Sequence, residues 1–309
     1  MELWWTSSDD TLEGAYWYGG GSWTRYQIPG NTSGSGDIAG LSRYPGTMEL
    51  WWIGQSGSVE GAHWYEDRGT WERYELAPRG SANAGSKITA VSREPAHMEV
   101  WWVSGEGSVE GAYWYDGGQW TRYQLAPGGS AHGIGGLTAV SRMPSHLEVF
   151  WASPRQALRH AWWYEGSQWA SEEISGEGAV SFNLAAVSRI PTSMEVFSCT
   201  DSPAGAIDTH YWYEGDRWRV RRIAPVDTAF TTTSLATLSR VPGHMEVWWQ
   251  SRTKALDGAY WYGQDWTRYQ LSPGPMALGL TAVSHKPEHM EVMWIGEDGA
   301  VNTAYWYGP

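Results

Sequence analysis

The sequence repeats itself seven times at a period of about fifty residues, which restricts the fold to arrays of like supersecondary units, each stacked on its neighbours. The phrase Met-Glu-(Val/Leu)-(Trp/Phe/Met)-Trp starts at Met1, Met48, Met98, Leu147, Met194, Met245 and Met290, with the fifth copy reduced to MEVFS. A second phrase, centred on Ala-Tyr-Trp-Tyr, places its tryptophan at Trp17, Trp64, Trp114, Trp163, Trp212, Trp261 and Trp306. Segments like WTRYQL begin at Trp23, Trp71, Trp120, Trp169, Trp218 and Trp266, and segments like LTAVSR end at Arg43, Arg93, Arg142, Arg189, Arg240 and His285.

Each phrase is short, rich in aromatic and β-branched residues, and bounded by Gly, Pro, Ser or Asp, which reads as antiparallel strands joined by turns. Four short strands per repeat predict an all-β, seven-bladed β-propeller in one domain, with repeats at 1–37, 38–87, 88–136, 137–183, 184–234, 235–279 and 280–309. The small residues of the TAVS phrase suit the innermost strand. The first repeat lacks that strand and the last lacks its WTRYQL strand, so the natural chain is expected to extend beyond both ends. A register with MEVWW innermost is the alternative.

Composition adds bounds on the partner. The formal net charge of −13 excludes a nucleic-acid backbone, which needs a basic footprint. No apolar run is long enough to span a membrane, so no membrane insertion is expected. Cys199 is the only cysteine and forms no intramolecular disulfide, which leaves the compartment, secreted or cytoplasmic, undetermined. The 24 Trp and 17 Tyr, against 4 Phe, suit a packed interior and the stacking of sugar rings equally.

The repeat, as in LTAVSREPAHMEVWWVSGEGSVEGAYWYDGGQWTRYQL, resembles that of the PLL-like bacterial seven-bladed propeller lectins, whose blades carry Ala-Val-Ser-Trp, Leu-Asp-Val-Phe and Trp-Trp-x-Gly-x-x-Trp. It is similar, more loosely, to the six-bladed fungal fucose lectins of the Aleuria type, which place a Tyr-Asp-Gly-x-x-Trp turn where Tyr115 to Trp120 stand. The resemblance implies multivalent binding of fucose-like or related glycans in crevices between blades, without catalysis and without a cofactor. In the fungal pattern the sugar-binding Arg would fall at Glu99, the Glu at Ala112 and the strand-end Trp at Arg93, so the polarity of the site is exchanged here.

The candidate ligand-binding residues are Arg43, Glu49 and Trp51; Arg93, Glu99 and Trp101; Arg142 and Glu148; Arg240, Glu246 and Trp248; and Trp64, Trp114 and Trp261. A carboxylate and a guanidinium in one crevice can bind vicinal hydroxyls, because one accepts and the other donates several hydrogen bonds. The competing reading is a repeated structural salt bridge between the Glu of MEV and the Arg of VSR, with the Trp of AYWY packed between blades. Burial and pairing decide between them. The neighbouring series Trp5, Trp52, Trp102, Trp151, Trp249 and Trp294 is interrupted by Ser198, and the fourth and fifth copies replace WTRYQL by WASEEI and WRVRRI, which points to weakened sites there.

One His per repeat, as at His97, His146, His244 and His289, cannot supply a zinc site, and the acidic turns at 104–108 and 296–299 lack the density of a calcium loop, so no metal is expected. No nucleophile motif or phosphate loop occurs, and the carboxylates are repeated where an enzyme on this scaffold needs a distinctive pair. A lectin is the leading expectation, a protein-interaction or structural propeller the alternative, and a homo-oligomer is compatible with either.

Overall fold

The computed structural model describes residues 1–31, 37–200, 205–230 and 232–308, and among them there are strands and turns but no α-helix. Alternating apolar and polar phrases separated by turn residues become seven consecutive antiparallel sheets, the blades of a seven-bladed β-propeller. Sheet 1 holds β1 (Glu2–Thr6), β2 (Thr11–Tyr16) and β3 (Thr24–Asn31). Sheet 2 holds β4 (Ile38–Leu41), β5 (Thr47–Ile53), β6 (Val59–Tyr65) and β7 (Trp71–Ala77), and sheet 3 holds β8 (Ile88–Val91), β9 (His97–Val103), β10 (Val109–Tyr115) and β11 (Thr121–Ala126). Sheet 4 follows with β12 (Leu137–Val140), β13 (His146–Ala152), β14 (Leu158–Tyr164) and β15 (Ala170–Glu173). Sheet 5 comprises β16 (Leu184–Val187), β17 (Ser193–Thr200), β18 (Ala206–Tyr213) and β19 (Arg219–Ala224). Sheet 6 comprises β20 (Leu235–Leu238), β21 (Met245–Gln250), β22 (Leu256–Trp261) and β23 (Trp266–Ser272), and sheet 7 has β24 (Met276–Val283), β25 (His289–Gly296) and β26 (Val301–Tyr307).

Two compact units divide the chain, Met1–Ala139 and Val140–Pro309, with β12 spanning the division. In every four-stranded sheet the strands follow chain order, while sheets 1 and 7 have three strands each. Sheet 1 is without the TAVSR-type strand and sheet 7 without the WTRYQL-type strand, as the phrases foretell.

Burial falls in steps across each sheet. The MEVWW strand is covered on both faces, as in β9, where all seven residues are buried. The AYWY strand is buried at its start and half-buried at its end, and the WTRYQL strand is largely exposed. The TAVSR-type strands are the edges where sheets converge: β4 lies beside β8 in the first unit, and β16 beside β20 and β20 beside β24 in the second. Small side chains such as Ala39, Ala185 and Ala236 are buried on these strands, together with Ile88, Leu137 and Val187.

Within each unit, neighbouring sheets are joined by an aromatic contact that recurs at four joints. The Trp opening the outer strand stands edge-on to the first aromatic residue of the preceding sheet's MEVWW strand: Trp71 to Trp4 at 6.4 Å, Trp120 to Trp51 at 5.9 Å, Trp218 to Phe150 at 5.7 Å and Trp266 to Phe197 at 5.5 Å. Interplanar angles of 82–89° are the edge-to-face geometry that aromatic quadrupoles favour.

Candidate functional site

The strongest constellation gathers at one end of the sheets, where the turn after each VSR phrase meets the turn after each AYWY phrase. Arg43 leaves the end of β4 and reaches into sheet 3. Its Nη1 donates to the Pro95 carbonyl at 3.1 Å, and its guanidinium lies 4.6 Å over the ring of Trp114. Within sheet 2 it donates to Glu49 at 3.5 Å and to Tyr65 Oη at 3.4 Å, while Tyr65 donates to Glu49 at 3.0 Å.

The same assembly recurs along the chain. Arg142 donates to Glu148 at 3.1 Å, to Tyr164 at 3.3 Å and to the Pro191 carbonyl at 2.6 Å, and lies 5.2 Å from the ring of Trp212. Arg189 donates to Tyr213 at 2.8 Å and covers Trp261 at 4.4 Å. Arg240 donates to the Pro287 carbonyl at 2.7 Å and covers Trp306 at 4.3 Å. Arg93 donates to Tyr115 at 3.1 Å and pairs with Glu94 at 3.0 Å. Arg43, Arg142 and Arg240 therefore tie their own sheet to the next through a carbonyl and an aromatic face, and Arg189 does so through the aromatic face alone.

The repeated glutamates lie deeper. Glu49, Glu99, Glu148 and Glu246 are buried, with Glu148 at 0% exposure. Glu246 accepts from Tyr262 at 2.8 Å and Tyr269 at 3.1 Å, Glu99 accepts from Tyr123, and Glu148 contacts His160 at 2.8 Å. Burial raises the carboxyl of Glu49 to about 7, with the Tyr65 hydroxyl and Arg43 opposing the rise, and it raises that of Glu246 as well. Arg43, Arg93 and Arg142 are themselves buried. Arg43–Glu49 and Arg142–Glu148 are thus buried pairs, while Arg93 pairs with Glu94.

Trp51, Trp101 and Trp248 differ from expectation in a simple way. They are 0–1% exposed, and each indole N–H donates inward to a tyrosine hydroxyl, Tyr74, Tyr123 and Tyr269, at 2.9, 2.7 and 2.7 Å. A ring without exposed surface presents no face to a sugar. Trp64, Trp114 and Trp261 are half-buried at the rim, with the Trp114 and Trp261 N–H groups held by carbonyls of their own turns at 3.1 and 3.2 Å.

Two groups of side chains in this constellation escaped the sequence reading. The closing Tyr of the AYWY phrase bonds the arginine and stands at the rim, with Tyr115 and Tyr262 each 43% exposed; its signal was recurrence in all seven copies. Beside Tyr65 a cavity of about 480 Å³ opens, lined by Tyr44, Pro45, Gly46, Thr47, Glu66 and Asp67. The Tyr of WTRYQL was the second omission, legible in its pairing with a Gly in the adjacent strand. Among the described residues no group of His, Cys, Asp and Glu is placed to hold a metal ion.

No family model matches the sequence, and comparison with curated proteins finds no match. Solved structures are similar. The BP39L lectin from Burkholderia pseudomallei superposes at a TM-score of 0.90 with 20% identity, covering 100% of this chain and 94% of that one. The fucose-specific lectin from Aleuria aurantia gives a TM-score of 0.65 at 18% identity, with 88% and 92% covered. AofleA from Arthrobotrys oligospora gives 0.66 at 16% identity, with 90% and 84% covered. Identities of 16–20% establish shared architecture, and with seven sheets in succession the chain has the seven-bladed β-propeller fold.

Proposed function

We propose that this chain is a multivalent carbohydrate-binding protein whose seven repeats act as one domain, binding fucose-like or related glycans at its rim crevices without catalysis. The observation that carries the reading is the aromatic-walled crevice beside the Arg43, Glu49 and Tyr65 triad, with Tyr44 and Tyr65 as walls and Glu66 and Asp67 as acceptors. In this reading Arg43, Glu49, Arg93, Glu99, Arg142, Glu148, Arg240 and Glu246 act from behind the surface, where they hold the rim tyrosines, and Arg43 and Arg189 cover the half-buried Trp114 and Trp261; Trp64 stands at the rim beside them. Trp51, Trp101 and Trp248 support the same tyrosine network from the core. The similar solved structures include a fucose-specific lectin, and that ligand class is carried over here as part of the proposal.

A glycan array tests it, with Tyr65→Ala and Arg43→Ala variants beside the parent chain. Binding to defined glycans, reduced in both variants, is the expected result. A blank array from a folded protein overturns the proposal in favour of a propeller that binds protein partners.

A further inference from the structure

The fifth repeat departs from the others at two facing positions. Where the other repeats have Trp5, Trp52, Trp102, Trp151, Trp249 and Trp294, this one has Ser198. Where they have Ala15, Ala62, Ala112, Ala161, Ala259 and Ala304, it has His210. The register explains why these positions matter together: Ser198 pairs with Asp208 and Val196 with His210, on one face of β17 and β18. In the other sheets that face sends an indole into the joint with the preceding sheet; Trp102 packs in one cluster with Leu76, Ala77 and Ala82, and its N–H donates to the Ser81 carbonyl at 3.1 Å.

In sheet 5 no indole fills that space, and a cavity of about 500 Å³ takes its place, lined by Thr200, Asp208, His210, Trp218, Val220 and Arg222 on one side, with Arg219 turned to Asp216 at 2.7 Å, and by residues 174–176, 178 and 179 on the other. Its chemistry is polar and unsatisfied. Thr200 and His210 are only 7% and 5% exposed, yet Thr200 Oγ1 and His210 Nδ1 have no hydrogen-bond partner. The same holds for Ser198 Oγ and Ser181 Oγ just behind the wall. Buried polar atoms left alone are costly, so this joint is built less tightly than it could be.

From this geometry we infer that the joint of sheets 4 and 5 holds one additional, non-repeated site for a neutral monosaccharide. Neutrality follows from the charges: the Asp208 carboxylate is already matched by the Arg222 guanidinium, bound through Nη2 at 3.2 Å and through Nε. That pair sets an acceptor beside a donor, the arrangement a vicinal diol bridges. The free hydroxyl of Thr200 and the free imidazole nitrogen each exchange a hydrogen bond with a further hydroxyl. Trp218, its N–H fixed by Glu172 at 2.9 Å, and Val220 supply an apolar side for ring C–H groups. The volume lies within the range of small-molecule sites, roughly 300–1,000 Å³. The inference takes its ligand class from the carbohydrate reading above but none of its residues.

Calorimetric titration with methyl α-L-fucoside, methyl α-D-mannoside and methyl β-D-galactoside tests it on the full chain. Ser198→Trp restores the residue of the other repeats and fills the cavity; His210→Ala restores the alanine. For the glycoside that binds, Ser198→Trp is expected to remove one site per chain, and His210→Ala to weaken that site about tenfold, a change of about 1.4 kcal/mol. Tyr65→Ala is expected to leave it in place. Equal stoichiometry and affinity in the parent, in Ser198→Trp and in His210→Ala, all with native near-ultraviolet circular dichroism, overturn the inference and make the cavity a water pocket. A binding event that Ser198→Trp removes but that survives when the rim variants are silent keeps this site while the rim reading falls. Binding that Tyr65→Ala weakens, with stoichiometry unchanged in Ser198→Trp, does the reverse.

Discussion

A single glycine shows how tightly the repeat is specified. A Cβ on Gly111 would lie 2.5 Å from the ring of Tyr123, and one on Gly61 would lie 2.4 Å from Tyr74, so the Gly of the VEGAY phrase exists to let the tyrosine cross it and reach the Trp and Glu behind. Sheet 4 solves the same space differently: His160 stands at the glycine position, Glu172 at the tyrosine position and Phe150 at the tryptophan position, with His160 bonded to both Glu148 and Glu172. Gly111→Ala is therefore expected to destabilise the protein by about 1–3 kcal/mol through overpacking, read from urea unfolding. Importing the sheet-4 set, Gly111→His with Tyr123→Glu and Trp101→Phe, is expected to cost less than the sum of the single changes, because the three positions share one contact network.

Acidity at the residue scale carries a second expectation. Burial lifts the carboxyls of Glu49 and Glu195 from 4.5 to about 7, so between those values the folded chain holds more protons than the unfolded one. Stability contributed by these groups is highest at the acid end of the window and falls as pH rises through 7. Each group accounts for a loss of about 3 kcal/mol. Urea midpoints are expected to drop between pH 5 and 8, with a flatter profile in Glu49→Gln and Glu195→Gln; a midpoint that rises over this interval contradicts the assignment.

At the scale of elements, the strands are held less by their own propensity than by the joints between sheets. The outer strand is mostly exposed, and its anchor is the opening Trp, which Trp120 illustrates by standing edge-on to Trp51 and stacking on Tyr74 at 6.3 Å. Trp120→Ala is expected to cost about 3–5 kcal/mol in unfolding free energy, against under 1 kcal/mol for the exposed Thr121→Ala in the same strand. The arginine at the other end of the joint acts through polarity. Arg142→Met removes the donors to Glu148, Tyr164 and Pro191 and leaves a buried carboxylate with less compensation, for a loss of about 3–5 kcal/mol by the same measurement.

For the whole molecule, repetition of the rim is the functional argument, since one weak site becomes useful when several are presented on a rigid scaffold. Binding to a densely glycosylated surface is expected to exceed binding to the free monosaccharide by roughly 10²–10⁴, measured by surface plasmon resonance at high and low ligand density. Equal apparent affinity at both densities contradicts multivalent use.

Period, turn residues and aromatic phrases were enough to establish the sheets, their strand order and the incomplete first and last blades, because hydrogen-bonded strands and turns respond to local residue type. The pairing of Arg with Glu was legible as one of two readings, since the phrases place them at facing strand ends. How deeply the pair lies depended on tertiary structure: whether Glu148 keeps water or loses it is set by the sheets packed around it, and no local pattern encodes that. The same limit applies to Ser198. As a letter it marked a degraded copy, whereas in the fold it faces His210 and Asp208 across two strands and opens a polar cavity, because absent side-chain volume acquires meaning only from the neighbours that fail to fill it.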